Sequence, residues 1–129
     1  MIATLHVQES NVTTEPAVGH PSIQLTVLGA SGRLDASTVN ILERALIRGF
    51  ALGSHIAIVD MGEVTYISSS GLRVLLSSRR QAREKGGDLV LCSLSTNVRD
   101  VMDMVGFTVL FTICDTVESA IKAITSQNA

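Results

Sequence analysis

Two short segments constrain the fold of this chain most strongly, because the residues that would face either side of a strand are apolar in both. They are HIAIVDM (55–61) and DLVLCSL (88–94), and their pattern is typical of strands that are covered on both faces of a sheet. Three other segments carry the apolar period of helices: 35–50, 69–87 and 95–106. Alternating strands and helices of this kind predict a largely parallel sheet whose strands are joined by crossover helices.

The amino-terminal part of the chain predicts two further strands. Residues 3–9 and 23–29 alternate apolar and polar side chains, as half-exposed strands do. Residues 10–22 between them are polar and contain both prolines of the chain, so they predict a loop. Because no helical pattern separates the two strands, we expect them to pair antiparallel.

The carboxyl-terminal part predicts one more strand and one more helix. The strand is expected at 109–115, and the helix is expected to begin at Asp115, with Glu118 completing a capping box. We therefore predict a single α/β domain over residues 1–129. Its mixed, mostly parallel sheet has about five strands and is flanked by about four helices.

Composition and charge exclude several classes of function. The chain is 46% hydrophobic and 17% charged, which favours a folded core, and its formal net charge of −2 offers no nucleic-acid footprint. The densest basic segment, 79–85, is interpreted as the solvated end of a helix. No apolar segment approaches the length of a membrane span, and no secretion signal is visible. Cys92 and Cys114 lack CxxC spacing and indicate a reducing cytoplasm.

The motifs that would indicate catalysis or nucleotide binding are missing. Neither GxxxxGK[ST] nor GxGxxG occurs, and the nucleophile elbow GxSxG is also absent. The three histidines do not fall at the spacing of metal ligands. The sequence therefore predicts neither an enzyme nor a bound cofactor.

Three consecutive serines stand where a predicted strand runs into a predicted helix. Ser68 is expected to cap the first N–H groups of the helix, which lack partners within the helix. Ser69 and Ser70 are expected to project beside Gly71, whose missing side chain would let another molecule approach closely. A phosphate at a helix start sits favourably on the helix dipole, yet it adds nearly two negative charges to the surface. The serines therefore predict a phosphorylation switch.

Three segments together carry a resemblance to a known family. They are GRLDASTV (32–39), VDMGEVTYISSSGLRVLLSSRRQAREKGGDLVLCSL (59–94) and VRDVMDMVGFTVLFTICDTVESAI (98–121). In combination they resemble the STAS domain of anti-sigma factor antagonists, from about residue 23 to the end. The resemblance implies a small sheet flanked by helices, acting as a cytoplasmic, monomeric binding module in a bacterium. Such a module binds an anti-sigma factor that is also a serine kinase, and thereby releases the sigma factor. Phosphorylation blocks the association and a phosphatase restores it.

The resemblance also implies particular site residues. Aligned on the Gly-Leu pair of the family motif, the phosphate acceptor is Ser69, and Ser68 stands where the family commonly has aspartate. Ser68 and Ser70 remain alternative acceptors. The expected partner-binding residues are Asp35, Ser68, Ser70, Gly71, Leu72 and Arg73. Asp35 matches an aspartate expected near the switch serine, and capping of the first helix is an equally good explanation for it.

Two rival functions belong to other classes. A constitutive STAS-like adaptor subunit of a lipid-transport ATPase complex would need no phosphoserine, so the intact serine cluster counts against it. An enzyme or nucleotide-binding domain is disfavoured because the motifs it requires are missing.

Overall fold

The computed structural model describes residues 4–14, 22–51 and 55–127. Within them, one five-stranded sheet has the spatial order β1-β2-β3-β4-β5. β1 is antiparallel to β2, and the remaining neighbours are parallel, which confirms the predicted mixed, mostly parallel α/β fold. The strands are β1 (Leu5–Thr13), β2 (Gln24–Leu34), β3 (Ile56–Ile67), β4 (Asp88–Cys92) and β5 (Thr112–Cys114), and the helices are α1 (Val39–Ala51), α2 (Ser69–Glu84), α3 (Thr96–Met104) and α4 (Val117–Gln127).

The helices divide unequally between the two faces of the sheet. From β2 to β5, each strand lies next to the one that precedes it in the chain, and the sheet grows in one direction. Because such crossover connections are right-handed, α1, α2 and α3 all lie on one face. The larger core lies there, and α4 covers a smaller core on the opposite face. Fully buried members of the larger core include Leu28, Leu42, Val59, Leu75, Leu91 and Met102.

β3 is longer than the sequence pattern predicts. It was expected to end at residue 61, but it continues to Ile67 because β2 accompanies it as far as Leu34. β4 pairs with β3 only as far as Asp60 opposite Cys92. Residues 61–67 of β3 and their β2 partners therefore form a two-stranded extension beyond β4. This extension carries the serine junction at its end.

The predicted loop at 10–22 is shorter in the structure. Residues 10–13 belong to β1, and Thr13 lies opposite Gln24 in the ladder with β2. Thr14 closes this ladder: its amide donates to the Ile23 carbonyl at 2.8 Å, and its hydroxyl accepts from the Ile23 amide at 2.8 Å. The expectation of a loop from residue 10 is therefore wrong, and residues 15–21 lie outside the described residues.

The last helix begins two residues later than predicted. α4 starts at Val117, and its cap is formed by Thr116 and Ser119 rather than by Asp115 and Glu118. The Ser119 amide donates to the Thr116 hydroxyl at 3.0 Å, and the Thr116 amide donates to the Ser119 hydroxyl at 3.0 Å. This reciprocal pair is equivalent to the predicted capping box but is shifted by one residue along the chain. The helix was therefore predicted correctly, whereas the position of its cap was wrong.

The last strand is also shorter than predicted. The segment 109–115 was expected to be strand, but only Thr112–Cys114 pairs with β4. Residues Thr108–Leu110 instead form a single turn of 3₁₀ helix. Val109 is 84% exposed, so the apolar pattern there does not report burial in a sheet.

Candidate functional site

Ser68 joins the end of β3 to the start of α2. Its backbone is extended, with φ −98° and ψ 173°, and its hydroxyl oxygen accepts a hydrogen bond from the Gly71 amide at 3.3 Å. The Ser68 amide donates to the Leu34 carbonyl at 2.9 Å and so ties the junction to the end of β2. The prediction that Ser68 caps the helix is confirmed, because its hydroxyl is committed to the helix start.

Ser69 and Ser70 differ from Ser68 in their surroundings. Ser69 is the first residue of α2 and is exposed, whereas Ser70 is half-buried. Within the described part of the chain, the Ser69 hydroxyl makes no hydrogen bond to the protein. Of the three serines, Ser69 is therefore the exposed one, whereas Ser68 and Ser70 are half-buried.

Gly71 is buried inside the protein. A Cβ atom added to it would lie 2.8 Å from the Leu34 Cγ, 3.1 Å from the Ile67 Cγ1 and 3.0 Å from the Leu34 carbonyl oxygen. The ends of β2 and β3 thus pack directly against the backbone of the first turn of α2. The expectation that Gly71 leaves room for another molecule is wrong, because side chains of this chain already fill that space.

Leu72 likewise faces inward. It is 3% exposed and belongs to the larger core. Gly71 and Leu72 therefore lie on the inner side of this turn, and neither residue contributes to its exposed surface. On the outer side of the same turn, Ser69 and Arg73 are exposed.

Asp35 organises the turn between β2 and α1. Its carboxylate accepts hydrogen bonds from the Ser37 hydroxyl at 2.7 Å and from the Ser37 amide at 3.0 Å. These bonds, the hydroxyl's above all, and the nearby Arg33 guanidinium hold the pKa of Asp35 below its ordinary value. Thr38 completes the turn, since its hydroxyl donates to the Arg33 carbonyl at 2.7 Å. Because Leu34 pairs with Ile67, Asp35 and Ser68 follow paired residues at one edge of the sheet.

Arg33 and Tyr66 form a contact that sequence reasoning missed. The Arg33 guanidinium carbon lies 4.2 Å from the centroid of the Tyr66 ring, and its Nε lies 3.5 Å from the Asp35 carboxylate. The two residues are partners in the β2–β3 register. That register is not visible in the sequence, and the available signal was only that Arg33 directly precedes Leu34 and Asp35 in the GRLD segment.

The described residues contain no group of three or more His, Cys, Asp or Glu side chains placed to hold a metal ion. Among the helices of that same part of the chain, none has the length and apolar character needed to cross a membrane.

The fold and the junction together define a small α/β domain with a reachable serine at the start of a helix. The sequence model of the STAS domain matches residues 16–120. The chain therefore belongs to the STAS domain family. It is 36% identical over 92 residues to a Bordetella bronchiseptica protein named as an anti-sigma factor antagonist, BtrV, and this match covers 71% of the chain and 79% of the relative.

Solved structures share the fold at lower sequence identity. SpoIIAA in its unphosphorylated form superposes with a TM-score of 0.67 at 23% identity, over 92% of this chain and 96% of that one. The phosphorylated form of SpoIIAA, a Bacillus cell fate determinant, gives 0.65 at 22% identity, over 92% of this chain and 99% of that one. The murine anion transporter Slc26a9 gives 0.72 at 11% identity, over 94% of this chain but 22% of the transporter. One fold thus serves proteins of different function.

Proposed function

We propose that this chain is an anti-sigma factor antagonist switched by phosphorylation of Ser69. Unphosphorylated, it binds an anti-sigma factor that has serine kinase activity, and the sigma factor held by that partner is released. Phosphorylated, it no longer binds, and a phosphatase returns it to the active form. The protein works in the cytoplasm, as a monomer, and has no enzymatic activity of its own.

One observation carries the proposal: the serines at the junction divide between structural and accessible roles. Ser68 is engaged by the Gly71 amide, and Ser70 is half-buried, whereas the hydroxyl of Ser69 is exposed and unengaged within the described residues. A phosphate on Ser68 would disrupt the cap, while one on Ser69 would project from the first turn toward solvent. Kinship with BtrV supports the partner class.

The partner surface that we propose is the outer side of this junction. It consists of Ser69, Ser70 and Arg73 on α2 together with the turn at Asp35, while Gly71 and Leu72 hold it in place from inside. A dianionic phosphate at its centre would lose part of its water in a packed interface, with no matched cation on the other protein. That loss is costly, and it opposes binding.

The chemistry of the switch comes from the partners. The kinase breaks the bond between the γ-phosphorus of ATP and its bridging oxygen, and the Ser69 oxygen takes the phosphoryl group while its proton passes to a base of the kinase. ADP leaves. The phosphatase cleaves the phosphoserine ester with water and restores the hydroxyl. The chain lacks the sequence motifs of a phosphate-binding loop, so the nucleotide is assigned to the partner.

The experiment is to incubate the protein with its anti-sigma factor kinase and ATP, and to locate the phosphate by mass spectrometry. We expect one phosphate on Ser69, none in a Ser69→Ala variant, and unchanged incorporation in the matched control Thr96→Ala, which removes an exposed hydroxyl from the first position of α3. Ser69→Ala should also keep binding the partner in the presence of ATP.

Phosphate on Ser69→Ala at the wild-type level would place the switch at another residue. If neither protein is modified and ATP leaves the binding of both unchanged, the constitutive adaptor function replaces this one.

A further inference from the structure

Ser69 and Arg73 are neighbours on the exposed side of α2. They are four residues apart, and both are exposed. Side chains at this spacing lie on one helix face with their Cβ atoms about 5–6 Å apart. Long helical side chains point back toward the amino terminus, so Arg73 covers the turn that contains Ser69. An anion that precedes a cation by four residues is the favourable order.

Three other cations near α2 are already paired, and Arg80, which makes no ion pair among the described residues, lies two turns beyond Arg73. Arg33 stacks on Tyr66 and pairs with Asp35 at 3.5 Å. At the far end of the helix, Arg79 Nε lies 3.3 Å from Asp88 Oδ1, and Arg83 Nη1 lies 3.4 Å from Asp88 Oδ2. Arg73 makes no ion pair within residues 4–14, 22–51 and 55–127. It is therefore the cation available to a new anion at the junction.

We propose that Arg73 binds the phosphate of phosphoserine 69 within the same chain. The inference rests on the proposed function, since it takes Ser69 as the acceptor. Phosphorylation then changes the partner surface in two ways, because it adds a dianion and also neutralises an exposed cation of that surface. A partner whose acidic group pairs with the Arg73 guanidinium loses this ion pair when the phosphate is present.

The start of α3 lacks this arrangement. Thr96 is also an exposed first residue, but the residues three and four positions later are Arg99 and Asp100, whose charges offset one another. A phosphate at position 96 would gain no net cation one turn along. The pairing is thus particular to the first turn of α2.

The experiment uses full-length protein in which phosphoserine is incorporated genetically at position 69, so that no kinase is needed. Phosphorus NMR follows the second pKa of the phosphate, ordinarily near 6. A cation favours the dianion and lowers this pKa, so Arg73→Ala should raise it by about 0.15 to 0.4, as expected for a helical ion pair. Arg73→Lys should restore most of the difference.

The matched control is Arg80→Ala, which removes the same charge from an exposed position two turns farther along α2. It should leave the phosphate pKa unchanged, and Arg33 and Asp35 on the neighbouring turn are retained in every variant. If Arg73→Ala and Arg80→Ala give the wild-type pKa, or raise it equally, Arg73 does not bind the phosphate. A kinase that modifies another residue would overturn the proposed function and leave this measurement intact.

Discussion

The starts of α2 and α3 use the same capping chemistry but leave different surfaces. Ser68 precedes α2 and accepts from the amide three residues on at 3.3 Å, and Ser95 does the same for α3 at 3.2 Å. Both caps have extended backbone, and the residue after each, Ser69 or Thr96, is exposed. A capping serine followed by an exposed hydroxyl is therefore not sufficient to indicate a switch.

The two starts differ in what surrounds the cap. At the third helical position α2 has Gly71, packed against the ends of β2 and β3, and α3 has the buried Val98. At the second position of α3, the Asn97 side-chain amide donates to the Thr65 carbonyl of β3 at 3.2 Å and fixes that helix to the extension. The start of α3 is thus tied to the sheet by a side chain of its first turn, whereas the start of α2 is the one that we propose as the partner surface.

The largest expected effect comes from exchanging the third residue of α2 for that of α3. Gly71→Val should lower the free energy of unfolding by about 1–3 kcal/mol, because the added carbons meet the buried Leu34 and Ile67. Urea unfolding measures this, with the exposed Ser69→Ala in the same turn as control, expected within about 0.5 kcal/mol of the wild type. A Gly71→Val protein of wild-type stability would show that the first turn of α2 is not packed as described.

A smaller effect should be shared by the two caps. Ser68→Ala and Ser95→Ala should each reduce the free energy of unfolding by about 1 kcal/mol, since each leaves a helix amide without its acceptor. Equal losses in urea unfolding would confirm that the two caps are equivalent in stability. The difference between the two helix starts would then lie in the residues around the caps. A loss at one position alone would break the comparison between the two helix starts.

Local patterns in the sequence sufficed for the order of elements and for the cap at Ser68. Helical periodicity, strand alternation and capping depend on neighbouring residues, so they can be recognised without tertiary contacts. The extension of β3 could not be recognised in this way, because Glu63 and Thr65 are exposed and the strand is held there by its pairing with β2.

Contacts between elements set the limits of prediction at the site. The sequence places Gly71 at a helix start but does not show whether its missing side chain makes room for a partner or for Leu34. The stacking of Arg33 on Tyr66 follows from a strand register that is irregular between Gly32 and Arg33. Such a register depends on the whole sheet, so no local pattern reveals it.

The most direct test of the central claim compares one phosphate at the two helix starts. Proteins with phosphoserine incorporated at position 69 or at position 96 are titrated with the anti-sigma factor that binds the unmodified chain, and the dissociation constants are measured by calorimetry. We expect phosphoserine 69 to weaken binding by at least about tenfold, or ~1.4 kcal/mol, and phosphoserine 96 to leave the affinity near that of the unmodified protein. Unchanged affinity with phosphoserine at 69, or equal weakening at both positions, would contradict a switch located at the start of α2.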